Sequence, residues 1–583
     1  SNDLEGLEQA IGTGLSRRLD AKELMQRALP IVRDRLVQFC SDWPNRPLPG
    51  GRSFQELFVE EGLSLWWLTE LSQKNAEVRP TFGLLCQLEA VRDALASLPY
   101  DRVALLTRDR DVEGVLRQVC EQAWVTMVNV LRSRARKSEG IGRLLLGRLN
   151  DWAVALGASL IAPLFRSPGA DDVADQGREN ERPTIAFSTW YPMQWITWRG
   201  QFRDRYYVHL PDLVASRWKT FYVSSVPSLR IGELIRNWAR VRGAMRREGI
   251  SPHYFLERFA SAWTVCRRYA ALGTVARYLW HELFDRHFRA SFIYEGLNIF
   301  PIAKYDLRVS FLRQIPRYLL HASQVKRFVQ TVKPAWLVTT LETYGSGRAT
   351  AWAVKSSGVG TKVIGYQLSP VNANQLVYRY RPEEVAEPLR KNPRALPMPL
   401  PDLFILHGWD AHRMLLESGV PDARLRVCGA SRFDDLPMYR QQRLRQQPVL
   451  RKTLGLSSEA HVVLVAGTIW PRQTHELIRM CAMATAGRRD LVLLFKSHPL
   501  HRWLSRESER LMTSGGRPRW IVSEENLNLL QAASDVMVTA NSTSDVEALV
   551  IGCPVIQVRL TEIPSSPSVE LNGLTREVAS TIE

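Results

Sequence analysis

The chain is poor in lysine and has few cysteines, and both shortages narrow what it can be. Only 12 of its 77 basic residues are lysines, so the net charge of +18 is carried mainly by arginine. The arginine guanidinium is a planar fork that suits phosphate and carboxylate groups. The seven cysteines are scattered without a C-x-x-C pair, which argues against a disulfide framework and against a cysteine-rich zinc site. We therefore expect free thiols in a reducing compartment.

Several familiar sequence features are also missing. No uninterrupted apolar run is long enough to span a bilayer, which predicts that no helix crosses a membrane. Charges throughout the first twenty residues argue against a signal peptide. The chain has no G-x-x-x-x-G-K-[ST] motif, which excludes a P-loop, and the glycines at 345–347 do not form a dinucleotide-binding fingerprint. A hydrophobic content of 45% excludes a mostly disordered chain.

The last part of the chain alternates apolar runs with helical patterns. Five runs rich in β-branched residues predict strands at 461–466, 490–495, 519–522, 535–540 and 554–558. Continuous apolar strands separated by helices are typical of a parallel sheet covered on both faces. Ligands of such sheets bind at the carboxyl ends of the strands. The polar loops that follow these runs are therefore candidate binding loops.

A second set of strand patterns precedes this sheet. Strands are predicted at 335–340, 361–366 and 402–406, with 102–106 and 184–188 assigned to the same domain; long helices are predicted at 113–135 and 229–247, and a polar surface loop at 167–182. The sequence thus predicts an α/β protein of two Rossmann-like domains that face a cleft. Residues 1–408 form the first domain, with helical insertions and a helix-rich N-terminal part, and residues 409–583 form the second.

The sharpest motifs are the segments 496–499 (Lys-Ser-His-Pro) and 541–544 (Asn-Ser-Thr-Ser), which both follow predicted strands of the second sheet. A cation beside the free N–H groups at a helix start is suited to bind a phosphate. The loop at 467–468 (Gly-Thr) offers a third close approach. The candidate phosphate-binding residues are Gly467, Thr468, Lys496, His498, Ser542, Thr543 and Ser544. The plainer interpretation is a turn with a solvated histidine and an ordinary helix N-cap.

These motifs resemble those of GT-B glycosyltransferases that carry an HP motif and a downstream SS/ST motif. That group includes bacterial sialyltransferases, Kdo transferases of capsule and O-antigen assembly, and CDP-glycerol polymerases. The resemblance implies a GT-B fold, and it implies that the HP histidine and the Ser/Thr pair contact the donor phosphate. By position these roles fall on His498, Ser542 and Thr543, and a ribose-binding acid falls on Glu524.

The resemblance extends upstream and covers about residues 55–75 and 290–560. Glu342 follows a predicted strand and is the candidate catalytic base, or nucleophile if configuration is retained. The next strand of the family ends in Gln-His, whereas this chain has Gln367-Leu368, so the role of that histidine is lost or moved. The segment 61–68, which contains Trp66 and Trp67, is similar to the family's N-terminal region. Core packing is the simplest explanation of this tryptophan pair, and the alternative is a role at the acceptor cleft.

The resemblance implies a glycosyltransferase that has no cofactor and uses a nucleotide sugar as its donor substrate. No DxD-like metal motif stands at a strand end near the predicted site, so we expect the reaction to be metal-independent, with the histidine and the helix dipole in place of the cation. The expected donor is a CMP-activated ulosonic acid, such as Kdo or a sialic-like sugar, and the expected acceptor is a bacterial surface glycan or a lipid-linked acceptor. Two alternatives stay open. One is a CDP-glycerol or CDP-ribitol polyol-phosphate transferase, and the other is a non-catalytic GT-B scaffold of a polysaccharide assembly complex.

The arginine excess is concentrated in two runs, at 132–148 and 230–247. The second run has helical spacing with an apolar and a basic face, which suits either a helix at an anionic membrane surface or a solvated helix. Nucleic-acid binding is disfavoured because no recognisable reader motif accompanies the charge. We therefore expect a cytoplasmic protein, with a peripheral position at the inner face of the cell membrane as the further expectation.

Overall fold

A computed structural model gives the structure of the protein and describes most of the chain. The described residues are 21–48, 50–74, 80–97, 101–105, 109–129, 140–165, 182–191, 195–198, 201–248, 253–340, 343–372, 374–386, 396–498, 505–513, 519–540, 542–558, 560 and 575–578.

The described residues up to 165 are mainly helical. The helices are α1 (Ala21–Asp42), α2 (Phe54–Leu57), α3 (Glu70–Gln73), α4 (Pro80–Ser97), α5 (Arg110–Gln122) and α6 (Ile141–Ile161); the strands are β1 (Val59–Glu60), β2 (Leu63–Ser64), β3 (Arg102–Leu105) and β4 (Thr126–Asn129). Local sequence sets the starts of the short helices. For α2, Ser53 and Glu56 form a capping box, and for α3 the side chain of Thr69 accepts from the Ser72 N–H.

The middle of the chain builds the first large sheet and the helices around it. Its elements up to residue 339 are β5 (Thr184–Trp190), β6 (Trp195–Trp198), β7 (Gln201–Asp204), α7 (Leu210–Val214), β8 (Lys219–Ser225), α8 (Ile231–Glu248), β9 (His253–Phe255), α9 (Ala262–Ala270), α10 (Leu272–Phe284), α11 (Arg286–Ala290), β10 (Ile293–Tyr294), β11 (Leu297–Asn298), α12 (Phe300–Val309), α13 (Ile315–Val332) and β12 (Trp336–Thr339). They continue with α14 (Gly345–Lys355), β13 (Lys362–Tyr366), α15 (Pro382–Val385), β14 (Leu403–Leu406), α16 (Trp409–Glu417), β15 (Leu425–Val427) and α17 (Leu436–Thr453).

The last part of the chain builds the second large sheet. Its elements are β16 (His461–Ala466), α18 (Pro471–Ala484), β17 (Leu491–Lys496), α19 (Arg506–Thr513), β18 (Arg519–Val522), α20 (Leu527–Ala533), β19 (Val536–Thr539), α21 (Ser544–Ile551), β20 (Val555–Val558) and β21 (Thr575–Val578). Short 3-10 turns lie at Trp43–Asn45, Leu65–Leu68, Ala162–Leu164, Leu256–Phe259, Leu376–Tyr378, Asp422–Arg424 and Ser431–Phe433, and a π-helical turn lies at Ser310–Gln314.

Both large sheets are parallel throughout and have the same topology. The first has the strand order β15-β14-β13-β12-β5-β8-β9, and the second has the order β18-β17-β16-β19-β20-β21. In each sheet the chain starts in the middle, builds outward to one side and then returns to build the other side. The two switch points lie between β5 and β12 and between β16 and β19, and each creates a crevice at the carboxyl ends of the strands. This two-domain organisation, with its helical N-terminal part, is the predicted GT-B fold.

The structure corrects two details of the predicted organisation and adds a third. The boundary between residues 408 and 409 lies within the first sheet, because α16 and β15 add a further unit that pairs with β14. Strand β3 pairs with β4 in a separate two-stranded sheet and does not join the first large sheet. The helix predicted at 113–135 ends at Gln122, because the chain continues as β4. Residues 166–181, most of the predicted polar loop, lie outside the described residues.

The helical N-terminal region packs directly on the first Rossmann-like domain. Trp66 and Trp67 are buried, as core packing predicts, and the Trp67 indole N–H donates to the Leu396 carbonyl at 3.0 Å. Arg348 of α14 is fully buried and donates to the carbonyl of Trp67 at 3.1 Å. The side-chain oxygen of Gln73 accepts from the backbone N–H of Gly345 at 2.9 Å, so that it caps the start of α14. The two regions therefore share one core.

The segment Ile141–Leu164 is long and apolar enough, by length and composition alone, to cross a membrane. The segment is not an uninterrupted apolar run, because charged residues occur within the helix. Within the structure Arg148 donates to the Tyr269 carbonyl at 3.1 Å, and Asp151 accepts two hydrogen bonds of 2.9 Å from Arg313. These contacts bury one face of α6 against neighbouring helices. All seven cysteines of the chain are free, as expected.

Candidate functional site

The loop after β16 lies directly against the loop after β17. The backbone N–H of Gly467 donates to the carbonyl of Lys496 at 2.8 Å. A Cβ atom at Gly467 would lie 3.3 Å from that carbonyl oxygen and 3.4 Å from the backbone nitrogen of His498. Glycine suits this close approach, because a Cβ atom would require its neighbours to shift by a few tenths of an ångström. The structure thus brings together Gly467, Lys496 and His498, three of the predicted site residues.

Thr468 shapes this loop from within. Its buried hydroxyl donates to the Trp470 carbonyl at 3.0 Å and accepts from the Trp470 N–H at 3.1 Å. The Thr468 N–H donates to the hydroxyl of Thr474 at 3.0 Å. These bonds fix the turn that leads into α18, so the geometry gives Thr468 a supporting position beside the predicted phosphate site.

Lys496 is the cation at the end of β17. Its ammonium nitrogen lies 3.7 Å from a carboxylate oxygen of Glu524, which follows β18. The lysine side chain is largely covered, whereas the glutamate side chain is 68% exposed. The predicted ribose-binding acid and the predicted phosphate-binding lysine therefore meet at the carboxyl edge of adjacent strands. With its carboxylate exposed and its charged atoms 3.7 Å apart, this pair is weakly held, so Lys496 can exchange this partner for an anionic ligand.

The serine cluster begins the helix that follows β19. Thr543 is the N-cap residue of α21, and the hydroxyls of Ser542 and Ser544 lie 2.8 Å apart. The Ser544 N–H points to the Ser542 hydroxyl at 3.4 Å. Asp545 in the first turn is fully buried, and its carboxylate accepts from the Val546 N–H at 2.7 Å. The Thr543 side chain makes no capping hydrogen bond, and the hydroxyls of the cluster lie at the helix start.

The second switch point places this helix start beside the Gly467 loop. Strands β16 and β19 are neighbours, with Val465 opposite Val538. The hydroxyl of Thr539, at the end of β19, lies 3.5 Å from the carbonyl of Ala466. The loops after three adjacent strands, β17, β16 and β19, consequently line one crevice. This is the location that the sequence predicted for donor binding.

Arg432 was not singled out in the sequence, although it joins the two domains. It lies on the turn between the sheets, and its guanidinium forms a salt bridge with Glu547 of α21. The same guanidinium lies 5.6 Å from the ring centre of Tyr206 in the first domain. The sequence does place one carboxylate near the predicted site, because Glu547 lies three residues after Ser544 and therefore on the same side of α21.

The neighbouring Ser431 anchors this turn to the first domain. Its N–H donates to the hydroxyl of Tyr366 at 3.0 Å, and its own hydroxyl donates to the carbonyl of Tyr207 at 2.9 Å. Tyr366 is the last residue of β13, so the anchor lies at the carboxyl edge of the first sheet. The turn therefore brings Arg432 to the region between the two sheet edges.

A histidine does lie at this edge of the first sheet, one strand away from the Gln367-Leu368 position. His407 follows β14, and its backbone N–H donates to the side-chain oxygen of the buried Gln367 at 2.7 Å. Its ring packs between the rings of Tyr366 and Phe433, with centres 5.9 and 6.0 Å away. Burial, reinforced by the charge of Arg432, lowers the pKa of His407 to about 4. The imidazole is therefore neutral at physiological pH.

The predicted catalytic acid, Glu342, lies outside the described residues. The described residues on either side of it lie at the first switch point. Strand β12 ends at Thr339, and α14 begins at Gly345 under the side chain of Gln73. The assignment of Glu342 as base or nucleophile stays a prediction.

No family model and no curated protein matches the sequence. Solved structures that are similar include UDP-GlcNAc 2-epimerase from Neisseria meningitidis bound to UDP-GlcNAc, at 10% identity over 64% of this chain and 82% of that chain with a TM-score of 0.37. The enzyme from Methanocaldococcus jannaschii has 10% identity over 68% and 89% with a TM-score of 0.38, and that from Rickettsia bellii has 13% over 65% and 80% with a TM-score of 0.37. Likeness at this level says nothing about what this chain binds.

Proposed function

We propose that the protein is a glycosyltransferase that binds a nucleotide-activated sugar at the crevice between β16 and β19. The observation that supports this most directly is the meeting of Gly467, Lys496 and His498 beside the helix start at Ser544. A lysine, a histidine and a helix N-terminus provide the positive potential that a phosphate leaving group requires. The resemblance of the HP and ST segments to those of GT-B transferases supports the same assignment.

In the proposed reaction an acceptor hydroxyl attacks the anomeric carbon of the donor. The base, for which Glu342 is the candidate, takes the hydroxyl proton, a new C–O bond forms, and the bond between the anomeric carbon and the phosphate oxygen breaks. The electron pair leaves with the nucleotide phosphate, whose developing charge Lys496 and His498 stabilise. If configuration is retained, the carboxylate instead attacks first and forms a covalent glycosyl intermediate. The acceptor enters from the first domain.

The proposed donor is a CMP-activated ulosonic acid, which rests on the motif resemblance alone. Such a donor releases one phosphate, and a compact cradle of Lys496, His498 and the Ser542 to Ser544 loop suffices for it. Thermal unfolding in the presence of CMP, CDP, UDP or GDP distinguishes the donors, because a ligand that binds the folded state raises the unfolding midpoint. A shift with CMP alone supports the ulosonic donor, whereas a shift with CDP or UDP alone contradicts it.

The decisive variant is His498→Ala, with His461→Ala as the matched control. His461 begins β16 and His498 follows the adjacent strand β17, but His461 is an exposed residue at the amino end of its strand, away from the crevice. We expect His498→Ala to lower donor turnover at least about tenfold and His461→Ala to leave it unchanged. Unchanged turnover in His498→Ala would overturn the site. Nucleotide binding with no turnover on any acceptor would favour the scaffold alternative.

We also propose that the reaction needs no metal ion, because the lysine, the histidine and the helix start supply the positive charge. The measurement is transfer activity after dialysis against EDTA, compared with the same sample after Mg²⁺ is restored. Unchanged activity is expected. Loss on chelation and recovery with Mg²⁺ would contradict the proposal.

We propose that the first domain binds an anionic membrane surface through α6 and α8. The two helices are in contact, and the Asn150 side chain of α6 donates to the carbonyl of Leu229, two residues before α8, at 2.8 Å. Large apolar side chains are exposed on α6, on α8 and just before α8, namely Leu145, Leu146, Leu149, Leu229, Ile231 and Ile235. Exposed arginines adjoin this face at Arg230, Arg236, Arg240 and Arg242. Apolar side chains with a basic rim suit an interfacial helix.

In this proposal the protein lies at the inner face of the cell membrane. The first arginine run contributes less to the basic surface than its sequence predicts. Of the run 132–148, residues 132–137 lie outside the described residues, and Arg148 is buried, so it does not contribute to the surface. Co-sedimentation with phosphatidylglycerol vesicles tests the proposal. Binding should weaken with salt and should be lost in Leu146→Ser/Leu149→Ser. Indifference to these vesicles would contradict it.

A further inference from the structure

A basic groove lies on the first domain, outside the crevice described above. It runs between α9 and the last three turns of α13, next to the turn Leu256–Phe259, and encloses a cavity of about 480 Å³. Because α13 is followed at once by β12, these last turns lie toward the amino end of the sheet, whereas the proposed reaction lies at the carboxyl end. The groove is lined by Trp263, Arg267, Arg268, Lys326, Arg327 and Gln330, among others.

Four of the side chains that line the groove are cationic, and carboxylates already neutralise one of them, Arg268. Arg268 forms ion pairs with Glu60 and Glu61 at 2.7 and 2.8 Å, and its Nε–H donates to the hydroxyl of Ser323 at 3.0 Å. These contacts hold α9, α13 and the β1–β2 turn in a fixed arrangement. The groove is therefore a built feature whose shape does not depend on a ligand.

The other three cations have no carboxylate partner among the residues that the structure describes. Arg267 and Arg327 are exposed on opposite walls, and the Lys326 ammonium lies 5.9 Å from the ring centre of Trp352. Three like charges across one cavity repel one another and attract an anion. Since the chain contains many carboxylates elsewhere, their absence from this lining leaves a local excess of positive charge.

Trp263 gives the groove a second chemical character. Its indole is 75% exposed, although tryptophan normally buries most of its large apolar surface. Arg267 follows one turn later on the same side of α9, so an aromatic face and a guanidinium are presented together. A flat apolar ring beside cations and neutral polar groups matches a sugar ring that carries a carboxylate or a phosphate.

We propose that this groove binds an anionic saccharide, as a remote site for the acceptor chain. This inference rests on the proposed glycosyltransferase function, because that function provides the glycan. The pyranose ring stacks on Trp263, and its acidic groups bind Arg267, Lys326 and Arg327. Binding of a distant segment of the acceptor glycan raises the effective concentration of the glycan's end at the cleft, without a new contact there.

The test measures binding and does not require turnover. The probe is fluorescein-labelled tetragalacturonate, with labelled maltotetraose as the uncharged control, and affinity is read by fluorescence anisotropy. We expect the wild-type chain to bind the acidic probe and to bind maltotetraose at least tenfold more weakly. Arg267→Ser/Arg327→Ser should lose at least tenfold in affinity for the acidic probe, and Trp263→Ala at least threefold.

The control for charge alone is Arg440→Ser/Arg445→Ser, which removes two exposed arginines of α17, far along the chain from the groove. It should change affinity less than twofold. An equal loss in both double variants overturns the proposal, since it indicates non-specific attraction. Tighter binding of an oligothymidylate of matched charge also overturns it, as does dependence of phosphatidylglycerol-vesicle binding on Arg267 and Arg327.

Two further measurements keep this inference separate from the proposed function. All substituted side chains are exposed, so an unchanged unfolding midpoint is expected and verifies folding of each variant. His498→Ala should bind the acidic probe as the wild-type chain does. If the protein binds no nucleotide but binds tetragalacturonate through Trp263 and Arg267, the transferase assignment fails while the saccharide groove stands.

Discussion

The guanidinium of Arg432, on the turn that connects the two sheets, forms a salt bridge with the carboxylate of Glu547 on α21. Both side chains are largely covered. Because α21 begins at Ser544, this bridge connects the proposed donor-binding helix to a turn that Ser431 fastens to the first sheet. Arg432 is therefore one of the side chains that couple the position of the donor helix to that of the first domain.

We expect Arg432→Met to lower the unfolding free energy by about 1–3 kcal/mol, because it leaves the Glu547 carboxylate covered and unpaired. Glu547→Gln in the Arg432→Met background should restore part of this loss. A double-mutant cycle measured by thermal unfolding gives the coupling between the two side chains. Additive effects of the two substitutions would show that the bridge has no net role.

A second prediction concerns the buried ion pair of Lys74 and Glu384, whose charged atoms lie 3.3 Å apart with both side chains almost fully covered. Lys74→Met should destabilise the chain by about 3–5 kcal/mol, since one buried charge then lacks its partner. Glu384→Gln added to Lys74→Met should recover most of the stability, because it removes the orphaned charge. Chemical denaturation compares the three variants. A double variant no more stable than Lys74→Met would contradict this account.

The stability of the protein should depend on pH through Glu257. Burial raises the pKa of this carboxyl to about 7 from an ordinary value of 4.5, although its carboxyl accepts from the Val226 N–H at 2.8 Å. The folded state therefore holds the proton more tightly than the unfolded state, so this group costs stability as the pH rises from 4.5 to about 7.

Glu257→Gln keeps the hydrogen-bond acceptor without the charge. We expect it to stabilise the protein by about 1–3 kcal/mol at pH 8 and to have little effect at pH 4.5. Thermal unfolding at both pH values measures the difference. Glu417→Gln, at an exposed helical position, is the control and should change neither value. A Glu257→Gln variant less stable than the wild type at pH 8 would contradict the prediction.

Gly467→Ala tests the close approach of the loops after β16 and β17. The added Cβ would meet the Lys496 carbonyl oxygen at 3.3 Å and the His498 nitrogen at 3.4 Å, so the two loops must move apart by a few tenths of an ångström. We expect nucleotide affinity to fall about three- to tenfold, with a stability loss of about 1–2 kcal/mol. Gly232→Ala, where nothing lies within 4 Å, is the control. Equal nucleotide affinity in both variants would argue against this crevice as the site.

The second sheet was predictable because its strands are continuous apolar runs and its polar loops follow directly. Strands β16 to β20 lie where the runs predicted them, and the parallel arrangement alone placed His498 and Ser542 at one edge. The boundary of the first domain was not predictable in the same way. Strand β15 is only three residues long, and its membership of the first sheet depends on pairing with β14 rather than on local pattern.

Tertiary contacts determine the surroundings of the residues that the sequence patterns did not single out. Arg432 is one of many arginines, and only the folded chain places it against Glu547 and Tyr206. Arg148 was counted with the surface charge, yet it is buried against the carbonyl of Tyr269. His407 precedes a glycine at the join between predicted elements, and its neutral state follows from rings contributed by separate segments. No repeating pattern of apolar and polar residues in the sequence predicts these positions.

The cap that Gln73 places on Gly345 has a consequence for any attempt to divide the protein. The N-terminal region supplies the side chain that completes the first turn of α14, and Tyr318 and Gln73 leave no space for a Cβ atom at Gly345. A shortened chain that began after residue 80 would expose this turn and the core beneath it. The first Rossmann-like unit therefore cannot be excised at its own strands, and its smallest autonomous form includes the helices that precede it.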